Sequence, residues 1–147
     1  MLDLLTDLMA VAQGRCAYAE ARHIAGRSEA LAVLSGHVDA IDSSASEGLG
    51  VRVRVGGGWG FAATRDVTRV GAEAALRRAL AIAEAQPAGP ATPLVPVAPA
   101  SGHWASPHEV DPFAVSLEEK LDLLFAAKRA LHSGDEHIVH TAATARA

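Results

Sequence analysis

The run GLGVRVRVGGGWGFAATRDVT, Gly48 to Thr68, decides how this chain is read. Leu49, Val51, Val53 and Val55 alternate with Gly50, Arg52 and Arg54, the two-residue period of a strand with one buried and one wet face. Strands of that kind belong to antiparallel sheets. Three glycines interrupt the pattern, and WGFAAT resumes it with Trp59 and Phe61 on one face. A phosphate-cradling loop needs its glycines directly before a helix, whose first amides face the anion. Here a second strand follows, the next helix begins only near Thr68, and no Lys-Ser or Lys-Thr pair completes a P-loop. The glycines therefore read as a hairpin. Gly56, Gly57 and Gly58 turn the chain through conformations that glycine tolerates, and Gly60 leaves room for a neighbouring backbone.

Upstream, CAYAEARHIAG from Cys16 and EALAVLSGHVDAIDSS from Glu29 read as further strands, with Ser35-Gly36 as a tight two-residue turn. Before them, Leu2, Leu5, Leu8, Met9 and Ala12 recur with helical spacing, and Gly14 is placed as a C-cap. Downstream, Ala72, Leu76, Ala79, Leu80 and Ala83 form one apolar stripe of a helix that stops before Pro87. Residues 87–100 form a Pro-rich surface connection. Ser116 and Glu119 then make a capping box for a helix carrying Leu117, Leu121, Leu124, Phe125 and Leu131, with Gly134 near its end. EHIVHTAATARA reads as a last strand, and the sequence stops inside or just after it. The expectation is an α+β fold in one domain, residues 1–147. It has an antiparallel sheet of four to six strands, two long helices on one face and a short N-terminal helix.

Half of the 147 residues are apolar and a fifth are charged, the composition of a chain with a real core. The formal net charge is −4 and the basic residues are scattered, which argues against a nucleic-acid partner. Cys16 is the single cysteine, so no internal disulfide can form and a cytoplasmic, reducing setting fits. Asp3 and Asp7 stand where a signal peptide carries positive charge, and no apolar run is long enough for a membrane span.

Seven histidines invite a search for a metal site. His108-Glu109 opens like the zinc motif H-E-x-x-H, but Pro112 occupies the second histidine's place. His137 and His140 lie three apart in the last strand, so they should face opposite ways. His103 and His108 flank Trp104 in a loop, and His23 and His37 read as lone strand histidines. No spacing supplies a third ligand, and no carboxylate pair or nucleophile with its base is placed. Catalytic and metal residues are expected to be absent from this chain.

The run RSEALAVLSGHVDAIDSSASEGLGVRVRVGGGWGFAATRDVT, followed by HWASPHEVDPFAVSLEEKLDLL, resembles the N-terminal region of the TldD/PmbA family, whose members are called modulators of DNA gyrase. The Trp-containing loop, Asp-Pro-Phe and the Ser-x-x-Glu helix start are similar to the TldD side. The resemblance implies a zinc metallopeptidase acting on unfolded or leader-like peptides. It implies a homodimer or a heterodimer with a related subunit. The family's H-E-x-x-x-H motif is not matched, because Phe113 stands where its last histidine would be. Zinc is thus expected in a full-length family enzyme and not in this chain. The chain is read as the domain that shapes the substrate passage and docks the partner subunit. The alternative is a stand-alone dimerisation or peptide-binding module. Arg52, Arg54, Trp59 and Phe61 are the candidates for peptide or partner contact. Their plain alternative is two core aromatics and two solvated arginines.

Overall fold

The structure, a computed structural model, describes residues 1–87, 89, 93–98, 100–134 and 137–147. Part of the proline-rich connection (Ala88, Pro90, Ala91, Thr92 and Pro99) lies outside the described residues, as does Glu136 at the start of the expected last strand. In chain order the elements are α1 (Leu2–Ala12), β1 (Tyr18–Leu34), β2 (His37–Val55), β3 (Gly58–Thr64), α2 (Arg69–Glu84), α3 (Leu117–His132) and β4 (Ala142–Arg146). The strands form one four-stranded sheet in the order β3-β2-β1-β4, and the pairs of β2 with β3 and β1 with β4 are antiparallel.

The long hairpin differs from the sequence expectation. CAYAEARHIAG and the run from Glu29 are not separate strands: β1 continues through Gly26 for 17 residues, and β2 continues through Ser43, Ser44 and Gly48 for 19. The physical reason lies in the backbone. Left-handed φ angles occur at Ser35 (47°) and Gly36 (90°), where the chain does turn, and not at Gly26 or Gly48. Glycine and small polar residues favour turns without imposing one, and here the backbone stays extended through them. β4 is shorter than expected, beginning at Ala142, so His137 and His140 precede it and are not on its two faces.

The chain divides into two compact units, Met1–Gly26 with Ser46–Pro99, and Arg27–Ala45 with Ala100–Ala147. In the first, Leu49, Val51 and Val53 of β2 and Ala62 of β3 pack with Ala72, Leu76, Ala79 and Leu80 of α2 and with Leu8 and Ala12 of α1. Fully burying each such leucine or valine contributes about 1.5–3 kcal/mol. Thr68 opens α2, its Oγ1 accepting from the Gly71 amide at 3.2 Å. The salt bridge of Arg69 with Asp7 joins α2 to α1. In the second unit, Leu31 and Val33 of β1 pack with Leu124 of α3. There Ser116 and Glu119 form the complete capping box: Ser116 Oγ accepts from the Glu119 amide, and the Glu119 carboxylate accepts from Ser116 N–H.

Candidate functional site

The glycines of β3 decide which way its aromatics face. Gly58, Gly60 and Ala62 are buried beneath α2. A Cβ on Gly60 would stand 1.8 Å from the Ala79 carbonyl oxygen, and one on Gly58 would stand 2.3 Å from that of Ala83. The helix therefore lies directly on the strand backbone, and only glycine permits that approach. By the alternation of a strand, Trp59 and Phe61 point to the opposite face. They are 37% and 59% exposed, not core residues. Gly56, with φ of 58°, and Gly57 make the turn itself, and Gly58 is the first residue of β3.

On this outer face β2 places Arg52 across from Phe61 and Arg54 across from Trp59. The guanidinium groups of Arg52 and Arg54 lie 5.4 and 5.6 Å from the Trp59 ring centre, within cation–π range. Arg52 is exposed, whereas Arg54 is buried at 6% exposure, so the face is only partly wet. Tyr18 meets the Trp59 ring edge-on, with centroids 5.7 Å apart and planes at 70°.

A charged network extends from there. The Tyr18 hydroxyl donates to Glu20 Oε2 at 2.6 Å, and Arg52 reaches Glu20 Oε1 at 2.9 Å. The Tyr18 hydrogen bond, with Arg52 second, holds the Glu20 carboxyl below its ordinary range. The same carboxylate raises the Tyr18 phenol, chiefly by accepting its proton in a hydrogen bond. It also raises the Arg52 guanidinium. Next to this network the face opens into a pocket of about 640 Å³, lined among others by Arg22, Ile24, Gly48, Gly50, Phe61 and Arg65.

Arg52, Arg54 and Trp59 thus come together in one cluster. Phe61 stands across from Arg52 and turns to the pocket. Tyr18 and Glu20 belong to the same surface, and Gln86 reaches the Trp59 backbone from the α2 side of β3; none of the three carries a sequence signal that joins it to Trp59. The Gln86 side chain accepts from Trp59 N–H at 3.1 Å and donates to its carbonyl at 2.6 Å.

His23 pairs with Glu47 at 2.8 Å, and His140 lies 3.1 Å from the Ser35 hydroxyl. Among the described residues no group of three or more His, Cys, Asp or Glu is gathered to hold a metal ion. This chain's described residues therefore do not fit a zinc site.

Residues 19–85, which span β1 to α2, match PmbA/TldA metallopeptidase domain 1. The match covers a little under half of the chain, so this stretch is similar to the first domain of that family. Solved structures share its fold. A protein named as a modulator of DNA gyrase from Bacteroides thetaiotaomicron aligns over 99% of this chain with a TM-score of 0.78 and 16% identity. A gyrase modulator so named from Thermotoga maritima aligns over 99%, at 0.75 and 16%. TldE from Thermococcus kodakarensis aligns over 97%, at 0.72 and 14%. The chain covers 34%, 32% and 33% of those chains, about a third of each. A search among proteins of curated function gives no match.

Proposed function

We propose that this chain is the substrate-guiding and subunit-docking domain of a TldD-like zinc metallopeptidase that acts on unfolded or leader-like peptides. The observation that carries the reading is the likeness of residues 19–85 to the family's first domain, with its arginine–aromatic face turned outward. An outer strand such as β3 accepts extended peptides by main-chain pairing at its edge, which tolerates varied sequences. Arg52, Trp59 and Phe61 supply contact to peptide or to a related subunit in a homodimer or heterodimer, and Arg54, buried beside the Trp59 ring, supports that contact from beneath. The metal and its ligands belong, on this reading, to a part of the enzyme beyond these residues. A cytoplasmic setting accords with the single cysteine. Among the described residues no helix is long and apolar enough to cross a membrane.

The test measures zinc content and peptidase activity of the 147-residue chain beside the longest product of its gene. Zinc and cleavage confined to a longer product are expected. Stoichiometric zinc with cleavage by the 147-residue chain would overturn the assignment of chemistry to another part. A longer product without zinc or cleavage would overturn the peptidase reading itself.

A further inference from the structure

The outer-face pocket lies within the first unit, and the strand registers map it. Gly50 of β2 stands across from Ala63 of β3. On the other side, Glu20 of β1 meets Arg52, and a Cβ on Gly26 would lie 3.6 Å from the Ser46 hydroxyl. Both contacts keep one register, in which Arg22 stands across from Gly50 and Ile24 from Gly48. The ring of Phe61 covers Gly50, where an added Cβ would lie 3.1 Å from it. Past the ring, Gly48 is the bare floor, with the Thr64 carbonyl oxygen at its side, and Ser46 lines the far end. Ile24 and Phe61, at 61% and 59% exposure, are the apolar walls.

Its charges are unequal in availability. Glu20 is engaged by Tyr18 and Arg52, and Glu47 by His23. Arg22 and Arg65 line the same pocket, and neither takes part in an ion pair among the described residues. Arg22 acts on Glu20 only through its more distant charge, as the weakest of the influences lowering that carboxyl. Arg22 belongs to β1 and Arg65 follows the last residue of β3, so they stand on opposite sides of β2, two strand spacings or about 10 Å apart across the sheet. Long side chains from both sides reach a charge held over the middle strand. The available charge facing the pocket is positive, which favours an anionic ligand.

The position of the pocket selects the kind of anion. Its floor is β2, an inner strand whose backbone groups are directed to β1 and β3 within the sheet. A ligand lying on this face is therefore held by side chains: two guanidinium groups, the Ser46 hydroxyl, an aromatic ring and an aliphatic wall. That set fits a carboxylate joined closely to an apolar group. Past the Phe61 ring the pocket runs along β2 from Gly50 to Ser46, about 13 Å of strand. A single residue leaves part of that length empty, whereas two or three extended residues fill it.

We propose that this pocket binds the C-terminal end of a peptide whose last residue is apolar, lying on the sheet face and not along the edge of β3. The last side chain packs over Gly48 between Ile24 and the Phe61 ring. Its carboxylate faces Arg22 and Arg65, and the preceding residues pass Ser46. The inference rests on the peptide-handling part of the reading above, whose ligand it names, and needs neither zinc nor cleavage.

The experiment titrates the full 147-residue chain with three probes and follows its amide NMR shifts. The probes are acetyl-Ala-Ala-Leu with a free carboxylate, the same peptide as its C-terminal amide, and 4-methylpentanoate, which keeps the carboxylate and branched chain without the peptide. The peptide acid binds about three- to tenfold more tightly than the amide at low salt, and its advantage shrinks as salt rises. 4-Methylpentanoate binds more weakly than the peptide acid. The moving amides include Gly48, Gly50 and Phe61. The double variant Arg22→Gln with Arg65→Gln loses the preference but keeps the weaker binding of the amide. Ile24→Gln removes an apolar wall and weakens acid and amide alike. All three substituted side chains are exposed, and a dispersed amide spectrum shows that each variant folds. Equal affinity for acid and amide, 4-methylpentanoate binding as tightly as the peptide acid, shifts confined to other surfaces, or no binding at all overturns the proposal. Peptide-acid binding by this chain, beside a longer product that lacks zinc and cleavage, supports this site while sinking the peptidase reading. The reverse combination, an active longer product with no binding here, sinks this site alone.

Discussion

Gly60 shows how one missing methyl group sets the site. Its φ is not in the left-handed region, so conformation alone does not demand glycine. Space does, because the atoms a Cβ would meet are backbone atoms of Ala79 and Ala83 in α2, which cannot rotate aside. Gly60→Ala is expected to destabilise by about 2–3 kcal/mol through overpacking. Phe61→Ala, on the exposed face, should cost less than about 1 kcal/mol. Urea unfolding midpoints of the two variants check this, and equal midpoints would contradict it. The alternation of WGFAAT places both aromatics on one face, but period alone does not say which face meets a helix. That choice rests on the distance between α2 and β3, which no spacing in the sequence encodes. Arg54 was equally illegible, since its burial depends on Trp59 and Tyr18 arriving from other strands. Glu20 offers a second test at this scale. Its folded pKa lies below the unfolded value, near about 4.3 for a free glutamate. Its contribution to stability is therefore fully present above that value and is lost as pH falls through the lower folded one. Tyr18→Phe removes the largest cause. An NMR titration should then find the Glu20 midpoint raised toward the ordinary value, with a smaller acid-side loss of stability. A midpoint that stays put would show that the hydroxyl does not hold the carboxylate.

At the scale of the element, helices were legible because their signals are local. Thr68 and the Ser116–Glu119 box lie within one turn of the amides they satisfy, so sequence and structure coincide there. Thr68→Ala leaves the Gly71 amide without its cap and should cost about 1 kcal/mol, read from thermal or urea unfolding. Thr68→Ser should restore most of the loss, which a merely steric role for the methyl group would not allow. The strands were less legible. Ser43, Ser44, Gly26 and Gly48 are residue types that often turn a chain, yet here they extend it. Pairing between β1 and β2 supplies the reason, as in the Ser28 and Ser44 hydroxyls 2.9 Å apart across the hairpin. A cross-strand contact of that kind is not local, so the tight turn at Ser35-Gly36 could be read while the reach of its two arms could not.

For the whole molecule, the division into two units follows from where apolar side chains are concentrated. The first unit gathers Leu8, Leu49, Val51, Val53, Leu76 and Leu80 with a row of alanines, whereas the second rests on Leu31, Val33 and Leu124 with partly buried neighbours. A composition read over the full length cannot reveal two cores, because β1 and β2 each contribute residues to both units. The unequal cores lead to an unequal distribution of stability. Regions with fewer buried apolar contacts open at lower free energy than regions with many. Amide exchange should therefore be faster in α3 and β4 than in α2 and at Val51 and Val53. Leu124→Ala is expected to cost about 2–4 kcal/mol by leaving a cavity in the smaller core. Its effect on exchange should be largest at Ala142–Arg146 and along α3, the segments that share that core. Leu76→Ala, of similar chemistry, should instead raise exchange in α1, α2 and β3. Uniform acceleration at all amides by both variants would show a single cooperative core and refute the division. Acceleration confined to each variant's own unit would establish that the first unit, which holds the outer-face pocket, keeps its order while the second opens.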